Sequence, residues 1–151
     1  MIKVLFVCTG NTCRSPMAKA LLMQKLRDHH GEEKVRVESA GLGALDGLPA
    51  SQEASEVLQK AGLDISGHRS QPIREKLVRD ADIILTMTAA QRDFLEERFP
   101  AQSAKIHTLG EFAGGETAEV EDPYGQGLQA YRRSFDQIEY LISRIVIKIV
   151  E

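Results

Sequence analysis

Cysteine is scarce. Only Cys8 and Cys13 occur among the 151 residues, so a disulfide scaffold and a four-cysteine zinc site are both excluded by count. No apolar run approaches the length of a membrane span, and no membrane partner is expected. Neither glycine, at 12 residues, nor proline, at 5, is in excess, which excludes collagen-like and disordered chains. The N-terminus lacks the basic lead, long apolar stretch and small-residue cleavage site of a secretory leader, so a cytoplasmic location is expected. Excess positive charge is also missing, since the formal net charge is -3. A nucleic-acid duplex calls for a basic domain with a charged stripe and is therefore not the expected partner. What positive charge there is clusters early: residues 1–30 carry five basic side chains against Asp28 alone. That bias suits a small anion or an anionic side chain.

With 42% hydrophobic and 27% charged residues, the chain reads as one globular domain over residues 1–151 with a single core. Ile2 to Val7 is an apolar run broken only by Lys3, as in a strand covered on both faces. Pro16 then opens a helical pattern carrying Ala18, Leu21, Leu22 and Leu26. Further strands are expected over Val35–Ser39, Asp82–Met87 and Lys105–Leu109, and helices over Ser51–Ala61, stopped by Gly62, and Ala89–Phe99, ended by Pro100. A long last helix carries Leu128, Tyr131, Phe135, Ile138, Ile142, Ile145 and Ile149 at spacings of three and four. The glycine-rich stretches Gly41–Gly47 and Gly114–Gly115 read as loops. The fold class is α/β: a mainly parallel sheet with helices on both faces, binding its ligand beyond the carboxyl ends of the strands.

The loop following the first strand lies at such an end. Cys8-Thr9-Gly10-Asn11-Thr12-Cys13-Arg14-Ser15-Pro16 combines a cysteine, an arginine six positions later, and Ser-Pro at the expected N-cap and first helical position. Backbone N–H groups of such a loop, with the helix N-terminus behind them, would hold a tetrahedral oxyanion without a metal or cofactor. Gly10 is expected to supply the unusual backbone angles. Arg14 would grip phosphate oxygens in pairs, and the same positive field would favour a Cys8 thiolate as nucleophile. No glycine-lysine pair of a nucleotide P-loop is present.

This pattern resembles the low-molecular-weight protein tyrosine phosphatase family, whose loop reads Cys, five residues, Arg, Ser and usually Pro. The similarity spans residues 1 to about 150. It implies a four-stranded parallel sheet of flavodoxin-like type and a two-step, metal-free hydrolysis through a phosphocysteine. The family's catalytic acid lies in an Asp-Pro pair late in the chain, matched here by Asp122-Pro123, with Tyr124 following. The resemblance also places Ser39, after the second strand in Ser39-Ala40-Gly41, and His68 as supports for Asn11. Cys8, Arg14 and Asp122 are thus the expected catalytic residues, and Thr9, Gly10, Asn11, Thr12, Cys13, Ser15 and Tyr124 the substrate-binding ones. Asp122 would donate a proton to the leaving group, with phosphate charge and partial burial favouring its neutral form. Asp80, Asp82, Glu116, Glu119 and Glu121 read as solvated charges, and His29-His30 as an exposed helix end.

The expected partner is a phosphorylated protein; the oligomeric state is left open. Two positions depart from the tyrosine-specific pattern: Thr12 stands where isoleucine is usual, and Gly125 follows Tyr124 where a second aromatic residue is common. Both resemble the bacterial protein-arginine phosphatases, so phosphoarginine ranks above phosphotyrosine. A small-thiol-coupled arsenate reductase and an idle phosphate-binding module are the further alternatives. Cys13 reads either as a small packed residue or as a partner that forms a disulfide with oxidised Cys8.

Overall fold

The computed structural model describes residues 1–115 and 119–151. Four strands, β1 (Ile2–Cys8), β2 (Val35–Gly41), β3 (Ile83–Thr86) and β4 (Ile106–Thr108), pair in parallel in the order β2-β1-β3-β4. The helices are α1 (Arg14–Asp28), α2 (Gln52–Lys60), α3 (Glu75–Asp80), α4 (Ala89–Arg98), α5 (Leu109–Gly114) and α6 (Leu128–Val150). A 3₁₀ helix spans Pro100–Lys105.

β1 is apolar apart from Lys3, and buried from Val4 to Cys8, because both of its faces are covered. Val4, Phe6 and Cys8 join a cluster with Met17 and Leu22 of α1, Leu58 of α2 and Ile138, Ile142 and Ile145 of α6. Leu5 and Val7 point the other way, into a cluster with Val78, Ile84, Leu95 and Ile106. Fully burying a side chain such as Phe6 contributes about 1.5–3 kcal/mol. The helical stripe of α6 forms the outer wall of the first cluster, with Tyr131 only 1% exposed. Register pairs Val4 with Val37 on one side and with Ile83 on the other.

Several boundaries differ from the sequence expectation. β2 continues through Ser39 and Ala40 to Gly41, so these residues lie within the strand and not after it. α1 begins at Arg14, with Cys13 at the N-cap, so Ser15 and Pro16 are already helical. Proline is tolerated there because the N–H it lacks falls in the first turn. The helices α3 and α5 and the 3₁₀ helix are additions, each only six residues long, too short for an apolar period to show. α5 is set instead by a capping box in which Thr108 Oγ1 accepts from Glu111 N and Glu111 returns to Thr108 N. The Thr108 N–H and the Arg92 guanidinium hold the Glu111 carboxyl down at about 2. Gly114 is therefore helical, and Gly115, at φ 80°, ends the helix.

Strand order reverses between β1 and β3. The chain leaves β1 to form β2 on one side and returns to place β3 on the other, which opens a crevice at the carboxyl end of β1. Residues 9–13 occupy that position.

Candidate active site

The loop is built around Asn11, which is fully buried and left-handed at φ 57°. Its amide oxygen accepts from Gln71 N at 2.9 Å, so its nitrogen must face the two hydroxyls, Ser15 Oγ at 2.8 Å and Ser39 Oγ at 3.0 Å. The Asn11 carbonyl oxygen lies 2.7 Å from His68 Nε2. A carbonyl only accepts, so the His68 proton is on Nε2. Burial pushes the His68 imidazole below its ordinary value, which keeps the ring neutral. Both residues expected to support Asn11 therefore reach it.

The strained angle falls on Asn11, not on Gly10 as the sequence suggested. A Cβ on Gly10 would meet only Thr12 Oγ1 at 3.6 Å. Side-chain space is missing instead at Gly41, where a Cβ would sit 2.7 Å from Thr9 O and 3.0 Å from Asn11 N. Gly41 lets β2 pass close beneath the loop.

Cys8 ends β1 and is 2% exposed. Asn11 N donates to its sulfur at 3.3 Å, and Ser15 Oγ lies 2.9 Å away. Since Asn11 Nδ2 already donates to Ser15 Oγ, the Ser15 proton is available to the sulfur. Ser15 thus makes no N-cap; its hydroxyl turns inward because a buried hydroxyl needs partners. A thiolate at Cys8 can only accept, so Asn11 N and Ser15 Oγ would both donate to it, and the N-terminus of α1 adds partial positive charge.

Arg14 is 4% exposed. Its Nη1 donates to Val120 O at 3.1 Å, and its Nη2 lies 3.7 Å from Asp122 Oδ2. Val120 N in turn donates to Met87 O at 3.0 Å, and Ser134 Oγ donates to Glu121 O at 2.7 Å. These bonds moor the segment that carries Asp122. The Asp122 side chain is 59% exposed, so the expected partial burial is not found. Its other oxygen accepts from Tyr124 N at 3.1 Å, and Tyr124 is 70% exposed at the mouth.

Thr12 and Cys13 complete the loop. Thr12 O accepts from Ser51 N, which ties the loop to the N-cap of α2. Cys13 Sγ lies 3.2 Å from Tyr131 OH and 3.7 Å from Ser51 Oγ, partners different from those of Cys8. Burial and the Cys13 contact raise the Tyr131 phenol well above its ordinary range, so it stays protonated. Thr9 Oγ1 accepts from Gln91 Nε2 at 3.1 Å. A cavity of about 310 Å³ joins Cys8, Thr12 and Arg14 of the loop with Leu45, Asp122 and Tyr124.

Larger cavities of about 430 and 370 Å³ lie beside His68 and against β2, and neither is lined by a cysteine. Among the described residues no cluster of His, Cys, Asp and Glu could hold a metal ion. No helix among them is long and apolar enough to cross a membrane. Glu119 is not simply solvated, since it accepts from Ala89 N at 2.6 Å. Asp82 likewise accepts from Lys3 N, while Asp80 and Glu121 pair with Lys76 and Arg133. Glu116 lies outside the described residues. His29 and His30 are exposed at the end of α1. Gln71, Gln91 and Val120 are site residues that sequence reasoning did not single out, and Gly41 entered only within the Ser39-Ala40-Gly41 segment of the resemblance.

Residues 3–151 match the family model described as low molecular weight phosphotyrosine protein phosphatase. A protein-arginine-phosphatase of Geobacillus stearothermophilus is 40% identical over 147 residues, covering 97% of this chain and 95% of that protein. A probable low molecular weight protein-tyrosine-phosphatase, EpsP, of Ralstonia nicotianae is 44% identical over 140 residues, covering 92% and 90%. The structure of a cysteine-to-serine mutant of the YwlE arginine phosphatase, with its active-site serine phosphorylated, superposes with a TM-score of 0.91 at 33% identity. It covers 97% of this chain and 95% of that one.

Proposed function

The chain belongs to the low molecular weight phosphotyrosine protein phosphatase family and is a protein phosphatase, and we propose that it removes phosphate from arginine side chains of proteins through a phosphocysteine at Cys8. Residues 1–151 act as one phosphatase domain, and the two free thiols suit a reducing, cytoplasmic setting.

In the first step the Cys8 thiolate attacks phosphorus, and the phosphorus-nitrogen bond breaks as Asp122 gives its proton to the leaving nitrogen. The products are a thiophosphate ester and a guanidinium. The loop N–H groups and Arg14 stabilise the charge on the five-coordinate phosphorus. In the second step Asp122, now a carboxylate, takes a proton from water as the water oxygen attacks phosphorus. The sulfur-phosphorus bond breaks, and Ser15 and Asn11 N receive the departing thiolate. Exposure of Asp122 suits this double role, because water reaches it directly.

The observation that carries the arginine assignment is Thr12, which lines the same cavity as Cys8, Arg14 and Asp122. A hydroxyl-bearing side chain smaller than isoleucine leaves room for a flat, polar guanidinium. The relatives named arginine phosphatases support the reading. Phosphotyrosine is the second reading, supported by the exposed Tyr124 ring at the mouth, which could flank an aromatic substrate, and by the relative named a tyrosine phosphatase. Arsenate reduction with an external small thiol is not favoured, since the family model and the relatives are named for phosphatases.

The test compares kcat/KM for phosphoarginine and phosphotyrosine peptides in wild type and Thr12→Ile. Wild type should prefer phosphoarginine, and Thr12→Ile should shift the ratio toward phosphotyrosine. A tenfold wild-type preference for phosphotyrosine, or a ratio untouched by the substitution, would establish the tyrosine reading instead.

A further inference from the structure

One wall of the pocket is apolar and faces water. Leu45 is 68% exposed and Leu48 43% exposed, and both line the cavity whose mouth also holds Tyr124. Apolar side chains gathered in the open at the mouth of one pocket suit a surface that is covered when a partner binds. The segment carrying them has no helix or strand to hold it.

Ser70 holds it instead. Ser70 is 2% exposed, and its hydroxyl accepts from Leu48 N at 2.9 Å and donates to Leu45 O. Its backbone adds two more bonds, donating to Leu48 O at 2.7 Å and accepting from Gly47 N at 2.8 Å. Both ends of the turn Leu45–Leu48 are thus fastened to one residue, while Gly47, at φ 85°, supplies the left-handed corner. From the outer side, Arg74 pairs with Asp46 at 2.6 Å.

The attachment of the wall is separable from that of the phosphate loop. Leu42 N and Gly43 N donate to Cys8 O and Thr9 O, so the base of the wall stays joined to the loop without Ser70. Asn11 is held by the backbone N–H of Gln71 and by His68, neither of which needs the Ser70 hydroxyl. We propose that Ser70 is a positioning residue for substrate selection: it sets Leu45 and Leu48 as an apolar shelf for the polypeptide flanking the phosphorylated side chain. The substrate class this implies is a phosphorylated residue within a chain bearing apolar neighbours, in preference to a free phosphorylated amino acid. The proposal rests on the cavity being the substrate site, and it holds for either phosphorylated residue.

The experiment uses whichever phosphopeptide the wild type hydrolyses better, given apolar flanking residues, with inorganic phosphate as a competitive inhibitor reporting the loop alone. Ser70→Ala, which removes both hydroxyl bonds to the wall, should raise KM for the peptide at least about fivefold, with kcat and the phosphate inhibition constant within about twofold of wild type. In a Leu45→Ala/Leu48→Ala background, which alters only exposed side chains, peptide KM should already be raised and Ser70→Ala should add less than about twofold. An unchanged peptide KM in the Leu45→Ala/Leu48→Ala variant, or a Ser70→Ala variant that loses kcat and phosphate affinity together, would overturn the proposal. Preference for phosphotyrosine over phosphoarginine would change the peptide used and leave the proposal standing.

Discussion

The Ser15 hydroxyl, which accepts from Asn11 Nδ2 at 2.8 Å, lies 2.9 Å from the Cys8 sulfur, and a Cys8 thiolate, which can only accept, takes its proton as a hydrogen bond. A donor placed there matters most when sulfur leaves phosphorus as a thiolate. Ser15→Ala should therefore lower kcat by about 10- to 100-fold, the scale of a hydrogen bond to a charged group, while phosphoenzyme accumulates in a burst. Rapid-quench kinetics measures both; an unchanged kcat would leave Ser15 a merely structural hydroxyl.

As the proposed acid, Asp122 would face different demands from different leaving groups. A guanidine must leave protonated, since its conjugate acid has a pKa above about 12, whereas an activated aryl oxide leaves unaided. Asp122→Asn should lower kcat/KM for a phosphoarginine peptide by about 100-fold or more and that for an activated aryl phosphate by far less. Equal losses on the two substrates would remove Asp122 as the acid of the first step.

His68 couples the loop to pH. Its folded-state value lies below the ordinary one because burial penalises the charged ring. The unfolded chain therefore binds more protons just below pH 6.5, and stability falls as pH drops through that value toward the folded one. Urea unfolding between pH 7.5 and 5.5 should show a decline that is smaller in His68→Gln. An identical decline in both would assign the pH dependence to other groups.

The two thiols point to a redox test. Cys13 Sγ contacts Tyr131 and Ser51, so pairing it with an oxidised Cys8 requires these contacts to break. If Cys13 protects Cys8, peroxide followed by reductant should restore wild-type activity but not that of Cys13→Ser. Equal irreversible losses would leave Cys13 as packing alone.

Much of this architecture was legible in the chain because its signals are local. The apolar run of β1 and the stripe of α6 follow from burial on two faces and on one, and the Cys8 to Arg14 spacing marks the loop. The family resemblance pointed to Ser39 and His68, but the other residues that hold that loop are legible only in space. Gln71, Gln91 and Gly41 are 60, 82 and 30 positions from the loop residues they serve, Asn11, Thr9 and Asn11 respectively, so no spacing rule links them. Gly10 drew attention as the permissive residue, yet Asn11 takes the left-handed angle, stabilised by bonds to Ser39 and Gln71. The capping box of α5 was written in Thr108 and Glu111, and the six-residue helix it opens carries no apolar period of its own.

The most direct test of the account is to trap the intermediate. Ser15→Ala, in which phosphoenzyme should accumulate, should be mixed with a phosphoarginine peptide, quenched within the first turnover, and mapped by mass spectrometry. A phosphate on Cys8 that forms before free phosphate appears, and that is absent from Cys8→Ala, is the predicted result. Hydrolysis of the same peptide by Cys8→Ala at the wild-type rate, or a phosphate mapped to any other residue, would contradict it.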